Sequence, residues 1–323
     1  MTLVTFWFVL LVVFWAGFLV LEGFDFGVGM LHGVVGRDER GRQQAIQTIG
    51  PLWDGNEVWL IIAATATFAA FPGWYATMFS GFYLAFLLLL VALIARGVSF
   101  EFRGRRDSPG WRRAFDLATT GGSLLAPLLI GVALGNLLHG VPIGADQEYA
   151  GTFVDLLNGY ALFCGVTVVL LCLSHGASFL ALKTSGEVRD RAMRAGRLLG
   201  PLAAAAVVGF AIWTQATNSS WSLPLVVAVV AALAAAWQVG RGRDGVAFTT
   251  TAVTMAAVVV SIFVALYPRV MVSSLGAASD LTVTNTASSP YALKVMTVAA
   301  AVLFPVVLAY QAWTYHVFRS RVR

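Results

Sequence analysis

Four carboxyl groups stand inside two apolar stretches of this chain, and their spacing is that of groups able to relay protons. Glu22 and Asp25 lie in Leu21-Glu22-Gly23-Phe24-Asp25-Phe26-Gly27-Val28-Gly29-Met30. Asp54 and Glu57 lie in Gly50-Pro51-Leu52-Trp53-Asp54-Gly55-Asn56-Glu57-Val58-Trp59-Leu60. Each pair is three residues apart, so on a helix its two side chains share a face. Neither motif contains a Lys or Arg. A charge in hydrocarbon costs about 3 kcal/mol or more unless it is paired, hydrated or neutralised by a proton. A carboxyl that exchanges its proton near neutral pH is what proton uptake requires. Asp54 and Asp25 are the leading candidates, in a polar group with Glu22, Glu57, Trp53 and Asn56. Arg96, at the end of a later apolar run, is the expected counter-ion, and Glu101 is expected to pair with the basic residues that follow it. The competing structural reading is that these carboxyls cap backbone amides or face headgroup water, and Asp54, just after Pro51, is placed to do so.

Other reactive side chains suggest no second centre. His139 falls toward one surface and His32, His175 and His316 toward the other, which leaves at most one pair for a haem; polar packing is the expected role of each. Cys164 and Cys172 share one apolar run, about 12 Å apart along a helix, too far for a disulfide. Neither falls in a CxxCH, which excludes covalent haem attachment. The sequence has no phosphate-binding glycine loop, zinc signature or nucleophile elbow. The chain is therefore expected to hold no metal and no catalytic residue of its own.

The elements that must position the acids are membrane helices. Of 323 residues, 59% are hydrophobic and 11% charged, too much apolar surface for a soluble domain. Runs of roughly 20 apolar residues predict nine spans, at about 3–34, 52–71, 74–95, 119–139, 157–182, 198–214, 221–238, 246–267 and 293–318. Met1 to Val20 lacks the charged start and cleavage site of a signal peptide, so the first run is expected to remain a span. Cytoplasmic loops retain basic residues. Of the 21 Lys and Arg, all except Arg269 and Lys294 fall in alternate loops and at the C-terminus, so the N-terminus is predicted outside and the C-terminus cytoplasmic. The net charge of +5 thus reflects topology, and nucleic acid is not an expected partner. This orientation puts Asp25 roughly 30 Å from the outer surface, at the cytoplasmic edge where Asp54 and Glu57 enter. The outer segments Gly140–Leu156 and Arg269–Ala292 are too short for separate folding, so residues 1–323 read as one polytopic membrane domain. Gly23, Gly27 and Gly29 mark a close approach of the first span to a neighbour. Trp53 and Trp59 flank the second motif and are expected as interfacial anchors.

Gly23-Phe24-Asp25-Phe26-Gly27-Val28-Gly29-Met30-Leu31 and Trp53-Asp54-Gly55-Asn56-Glu57-Val58-Trp59-Leu60 resemble the hallmark segments of subunit II of the cytochrome bd quinol oxidases. Weaker matches follow in order at Phe79-Ser80-Gly81-Phe82-Tyr83, Gly131 to Pro142, Ser174-His175-Gly176-Ala177, Tyr267-Pro268 and Val295-Met296-Thr297, so the resemblance covers nearly the whole chain. The sixth and seventh predicted spans carry little signature, and their connection near Asn218 is shorter than the family pattern. The resemblance implies an all-α integral protein of the bacterial cytoplasmic membrane, two four-helix bundles plus one extra helix, without a haem of its own. Its partner, subunit I, would carry haems b558, b595 and d and oxidise quinol. The complex would reduce O2 to water with protons taken from the cytoplasm, electrogenic but not pumping. A quinone held structurally between helices occurs in some members, and small accessory subunits are further candidate partners. Carried over by motif, Trp53 and Asp54 lie near the boundary with subunit I, where the aspartate feeds a proton path, and Asp25 and Arg96 belong to the same cytoplasmic-side group. The rival reading is a secondary transporter or ion channel, which also places carboxylates beside glycine-rich helix segments. It predicts inverted repeats, yet the last four predicted spans hold no acid answering Asp25 or Asp54.

Overall fold

In hydrocarbon, backbone N–H and C=O groups have only one another as partners, so apolar runs of this length fold as helices. The computed structural model describes residues 2–218, 222–239 and 241–322. Met1, the connection after Asn218, Trp221 at the start of the predicted seventh span, and Arg323 lie outside the described residues. Helix α1 spans Leu3–Val35 and α2 Glu39–Gln47, each begun by a side-chain cap, from Thr2 and Asp38. Then come α3 (Trp53–Ala70), α4 (Pro72–Gly81), α5 (Tyr83–Phe102) and α6 (Pro109–His139). They are followed by α7 (Gly159–Lys183), α8 (Gly186–Asn218), α9 (Leu223–Gln238), α10 (Asp244–Leu266) and α11 (Pro290–Val317). Strands β1 (Arg269–Met271) and β2 (Leu281–Thr282) make a small antiparallel pair.

Among the described residues, seven helices are long and apolar enough to cross a membrane: α1, α5, α6, α7, α8, α10 and α11. Helix α9 is apolar but only 16 residues long, and α3, with 18 residues, carries Asp54 and Glu57. The predicted third span is broken at Phe82, where α4 ends and α5 begins. Helices α6 and α8 outrun their apolar parts, starting at Pro109 and Gly186 rather than near 119 and 198, so most basic residues expected in those loops lie on helix. Arg and Glu are good helix formers, and an apolar window does not register them.

Helix α1 is the centre of the packing and runs against α3, α6, α7 and α10. Its closest approach is to α7 at Gly27 and Gly176, where a Cβ on either residue would collide with the other helix's backbone. Helices α7 to α10 form a ring of neighbours, α5 lies along α6, and α11 stands at the edge against α1 and α3. Trp59, expected as an interfacial anchor, is instead 5% exposed, seated on Gly17 between Phe14 and Phe304. Six residues of α3 carry it roughly 9 Å deeper than Trp53.

The face that carries the basic residues is held by an ion network. Arg103 forks onto Glu39 at 2.7 and 3.0 Å and donates to Asp116 at 2.6 Å. Asp116 also accepts from Arg42 at 3.1 Å and lies 3.2 Å from His32 Nε2. The acids paired with the basic residues there are Glu39, Asp116 and, through Arg112, Asp107, whereas Glu101, expected in that role, lies on the exposed side of α5. The hydrogen bonds from Arg103 hold the Glu39 carboxyl below the usual range. On the opposite face the two long connections lie on each other: Val141 N donates to Val272 O at 3.0 Å and Ser274 N to Val141 O at 2.9 Å. Ser288 N, bonded to Ala70 O at 2.9 Å, ties the end of α3 to this cap.

Candidate functional site

Toward the basic end of the bundle, α1, α3 and α5 bring five polar side chains together. Glu22 and Asp25 stand one turn apart on α1, and both are fully buried. Arg96 of α5 is fully buried as well, and its Nη1 donates to Glu22 Oε1 at 2.5 Å. The same nitrogen lies 3.8 Å from Glu57 Oε2 on α3. The guanidinium is sandwiched by the rings of Phe26 and Phe100, 4.9 and 5.0 Å to their centres, which suits a weakly hydrated cation. Gly122 of α6 makes room for it, since a Cβ there would press on the Arg96 side chain and the Ala92 carbonyl.

Asn56 completes the group. Its Nδ2 donates to Asp25 Oδ2 at 2.7 Å and to Leu21 O at 3.2 Å. Its Oδ1 accepts from Gln311 Nε2 at 2.8 Å and from the Tyr315 hydroxyl at 3.0 Å. Glu22 Oε2 and Asp25 Oδ1 receive no N–H or O–H donor among the described residues, and Arg96 Nε and Nη2 find no acceptor there. Four buried polar atoms left over in one cluster are the arrangement that internal water or a mobile proton satisfies.

Asp54 does not join this cluster. The buried stripe of α3 runs through Asn56, Trp59, Ala63 and Thr67, and Asp54, about 200° around the helix from Asn56, is exposed on the other side. It shares with Trp53, Glu57, Val58, Gly97 and Val98 the wall of a cavity of about 360 Å³ between α3 and α5. Asp54 is also not the cap of its helix, whose N-cap is Leu52 without a side-chain bond. Glu57 borders both places, lining the groove and approaching Arg96. The acids expected to gather as four therefore form a graded series: exposed Asp54, Glu57 with 24% of its side chain exposed, then Glu22 and Asp25 at 0%. Trp53 rests on Phe100, with ring centres 5.3 Å apart, and lines the groove.

Gln311 and Tyr315 were not legible as site residues. They carry no charge and lie outside both motifs, and the available signal was two hydrogen-bonding side chains four residues apart in a stretch that also holds Tyr310, Thr314 and His316. Nearer the opposite face, a second groove bordered by α3, α4, α5 and α6, about 420 Å³, is lined mostly by apolar side chains, with Thr65, Tyr83 and the indoles of Trp15 and Trp74 among them. Trp74, 1% exposed, and Trp15 border it, and their buried N–H groups have no acceptor among the described residues. Two of the four histidines are held on both ring nitrogens: His175 bonds Thr251 Oγ1 at 2.6 Å and Val20 O at 3.2 Å, and His32 bonds Gly29 O at 2.7 Å besides Asp116. Among the described residues no three His, Cys, Asp or Glu side chains gather as metal ligands. Both cysteines are free and buried.

Known proteins resemble this chain along its length. A family model for cytochrome bd terminal oxidase subunit II matches residues 3–318. A cytochrome bd ubiquinol oxidase subunit 2 from Bacillus subtilis is 44% identical, over 98% of this chain and 96% of the relative. A cytochrome bd-I ubiquinol oxidase subunit 2 from Escherichia coli K12 is 35% identical, over 98% and 94%. Among solved structures, a chain of the bd oxidase from Geobacillus thermodenitrificans matches with a TM-score of 0.76 at 18% identity, covering 98% of each chain, a likeness of fold.

Proposed function

The chain belongs to the cytochrome bd terminal oxidase subunit II family, and on that premise we propose that it is a haem-free subunit II that feeds cytoplasmic protons toward its partner. The partner, subunit I, bears haems b558, b595 and d, oxidises quinol and reduces O2 to water; the complex is electrogenic because protons enter from one side, without pumping. The observation that carries this reading is the graded series of acids, from Asp54 in the open groove through Glu57 and Arg96 to buried Glu22 and Asp25. Such a series offers a proton progressively drier stations. The haem-free assignment is supported by His32 and His175, whose ring nitrogens are all engaged.

The same reading places the whole chain as one polytopic domain with nine spans, the C-terminus cytoplasmic. Helix α3 supports it by starting at the acid cluster and ending bonded to the cap on the opposite face, about 27 Å of rise for its 18 residues. A structural quinone between helices is best sought in the 420 Å³ groove, which Trp74 and Trp15, each with an unpartnered N–H among the described residues, border. Trp74→Phe should lower the quinone retained per purified complex; unchanged retention in Trp74→Phe and Trp15→Phe together would place it elsewhere.

The test of proton delivery is Asp54→Asn and Asp25→Asn in the complex purified through a tag on this chain. Turnover should fall about tenfold or more while the haem spectrum stays intact. Normal turnover in both variants overturns the proposal, and loss of assembly alone supports a structural role for these carboxyls. Absence of haem bands from a stable wild-type preparation refutes the subunit assignment.

A further inference from the structure

The inner end of α11 converges on one amide. Gln311 and Tyr315 both donate to Asn56 Oδ1, at 2.8 and 3.0 Å. Leu21 O and Asp25 Oδ2 can act as acceptors, so the Asn56 NH2 must face them and its oxygen must face α11. All four hydrogen-bonding positions of this buried amide are filled, and its orientation is fixed from both sides. We propose that Gln311 and Tyr315 are positioning residues which, through Asn56, set the orientation and hydrogen bonding of the Asp25 carboxyl. The proposal rests on the reading of Asp25 as a member of the proton path.

Attachment of α11 does not need this latch. At its outer end Trp7 Nε1 donates to Thr297 Oγ1 at 3.1 Å and Leu293 O at 3.3 Å. Midway, Phe304 packs on Phe14 and Trp59, ring centres 5.2 and 6.0 Å away. Beyond the helix, Val322 N donates to Lys183 O at 2.8 Å, Lys183 Nζ to Ser320 O at 3.0 Å, and Gln44 Nε2 to Val322 O at 3.1 Å. With three other anchors in place, two donors aimed at Asn56 act on what Asn56 holds. Among the described residues Asn56 is the non-ionisable side chain that donates to the Asp25 carboxyl, so this contact bears directly on its geometry. The ionisable groups facing Asp25 and its Glu22–Arg96 pair are Glu22 on its own helix, Glu57 on α3, Arg96 on α5, Cys172 on α7 and Tyr315 on α11. Substitution at Asn56 or at its two donors leaves the first four untouched.

The experiment compares Gln311→Leu/Tyr315→Phe, Tyr315→Phe alone and Asp25→Asn in the tagged complex. The readouts are turnover against pH and the infrared carboxyl band that Asp25→Asn removes. In the double variant that band should shift, turnover at neutral pH should fall about five- to tenfold, and the pH profile should move by about one unit. Tyr315→Phe, which keeps the ring and its packing, should give a smaller shift of the same sign and serves if the double variant assembles poorly. An unmoved band and profile in both variants, with Asp25→Asn altering both, overturns the inference. A shifted band with turnover indifferent even to Asp25→Asn leaves the positioning in place and removes the proton-path reading.

Discussion

At the scale of single residues, the cluster is governed by one cation among three acids. Arg96 is sealed by Phe26 and Phe100 and bonded to Glu22, so the buried guanidinium and that carboxyl depend on each other for a partner. Removing one partner leaves a buried charge alone, at a cost of about 3–5 kcal/mol; removing both with apolar groups of similar volume is often near neutral. Arg96→Met should therefore sharply reduce assembled, haem-bearing complex, and Arg96→Met with Glu22→Met should recover much of it. Equal loss in the single and double variants would mean that the pair does not act as a unit. Glu22, Asp25, Glu57 and Arg96 were legible because charge in an apolar run has to be accounted for. Gln311 and Tyr315 were not, since a neutral amide and a phenol are tolerated in many apolar helices. The separation of Asp54 from the cluster was half-legible: its three-residue spacing from Glu57 gave the shared groove, but the direction of the α1-facing stripe depends on tertiary packing.

Among elements, the site depends on how closely α1 can approach its neighbours. The Gly27–Gly176 contact lets α1 lie on α7, and Gly122 lets α6 lie over Arg96. Gly27→Leu should abolish accumulation of the folded subunit, because the collision is with backbone and no side chain can yield. Helix α2 acts on the same assembly from the surface, through Glu39 and Arg103. Arg103 depresses the Glu39 pKa in the folded state, so the stabilisation is fully present above the ordinary glutamate range and is lost as pH falls through the depressed value. Glu39→Gln should accordingly lower the Tm at neutral pH slightly and flatten its decline on the acid side, read by thermal unfolding across pH; identical acid limbs would show the pair to be inert. The apolar runs were legible as elements, while the short helix α2 and the long basic extensions of α6 and α8 were not. Those pieces are amphipathic or charged, and they are helical through propensity and contact with the bundle rather than through hydrocarbon.

For the whole molecule, the decisive question is whether α3 and α9 cross, since among the described residues seven other helices satisfy length and apolarity by themselves. Helix α3 joins the acid cluster to the Ala70–Ser288 bond in the opposite cap. Helix α9 must lead from the far end of α8 back to the Arg189–Asp244 pair that starts α10, a bond of 2.7 Å on the basic face. Both connections require a crossing if the basic face is cytoplasmic throughout, the orientation that the distribution of Lys and Arg predicts. Cys164 and Cys172 are buried, so the native protein supplies little background to thiol labelling. Pro72→Cys, at the turn after α3, should react in intact cells with a membrane-impermeant maleimide, and Arg241→Cys, between α9 and α10, only after permeabilisation. A protected Cys at 72 would leave α3 on the cytoplasmic side and detach Asp54 and Glu57 from any span. A reactive Cys at 241 in intact cells would reverse α10 and with it the face on which the acids open, and the route for protons from the cytoplasm would lose its entrance.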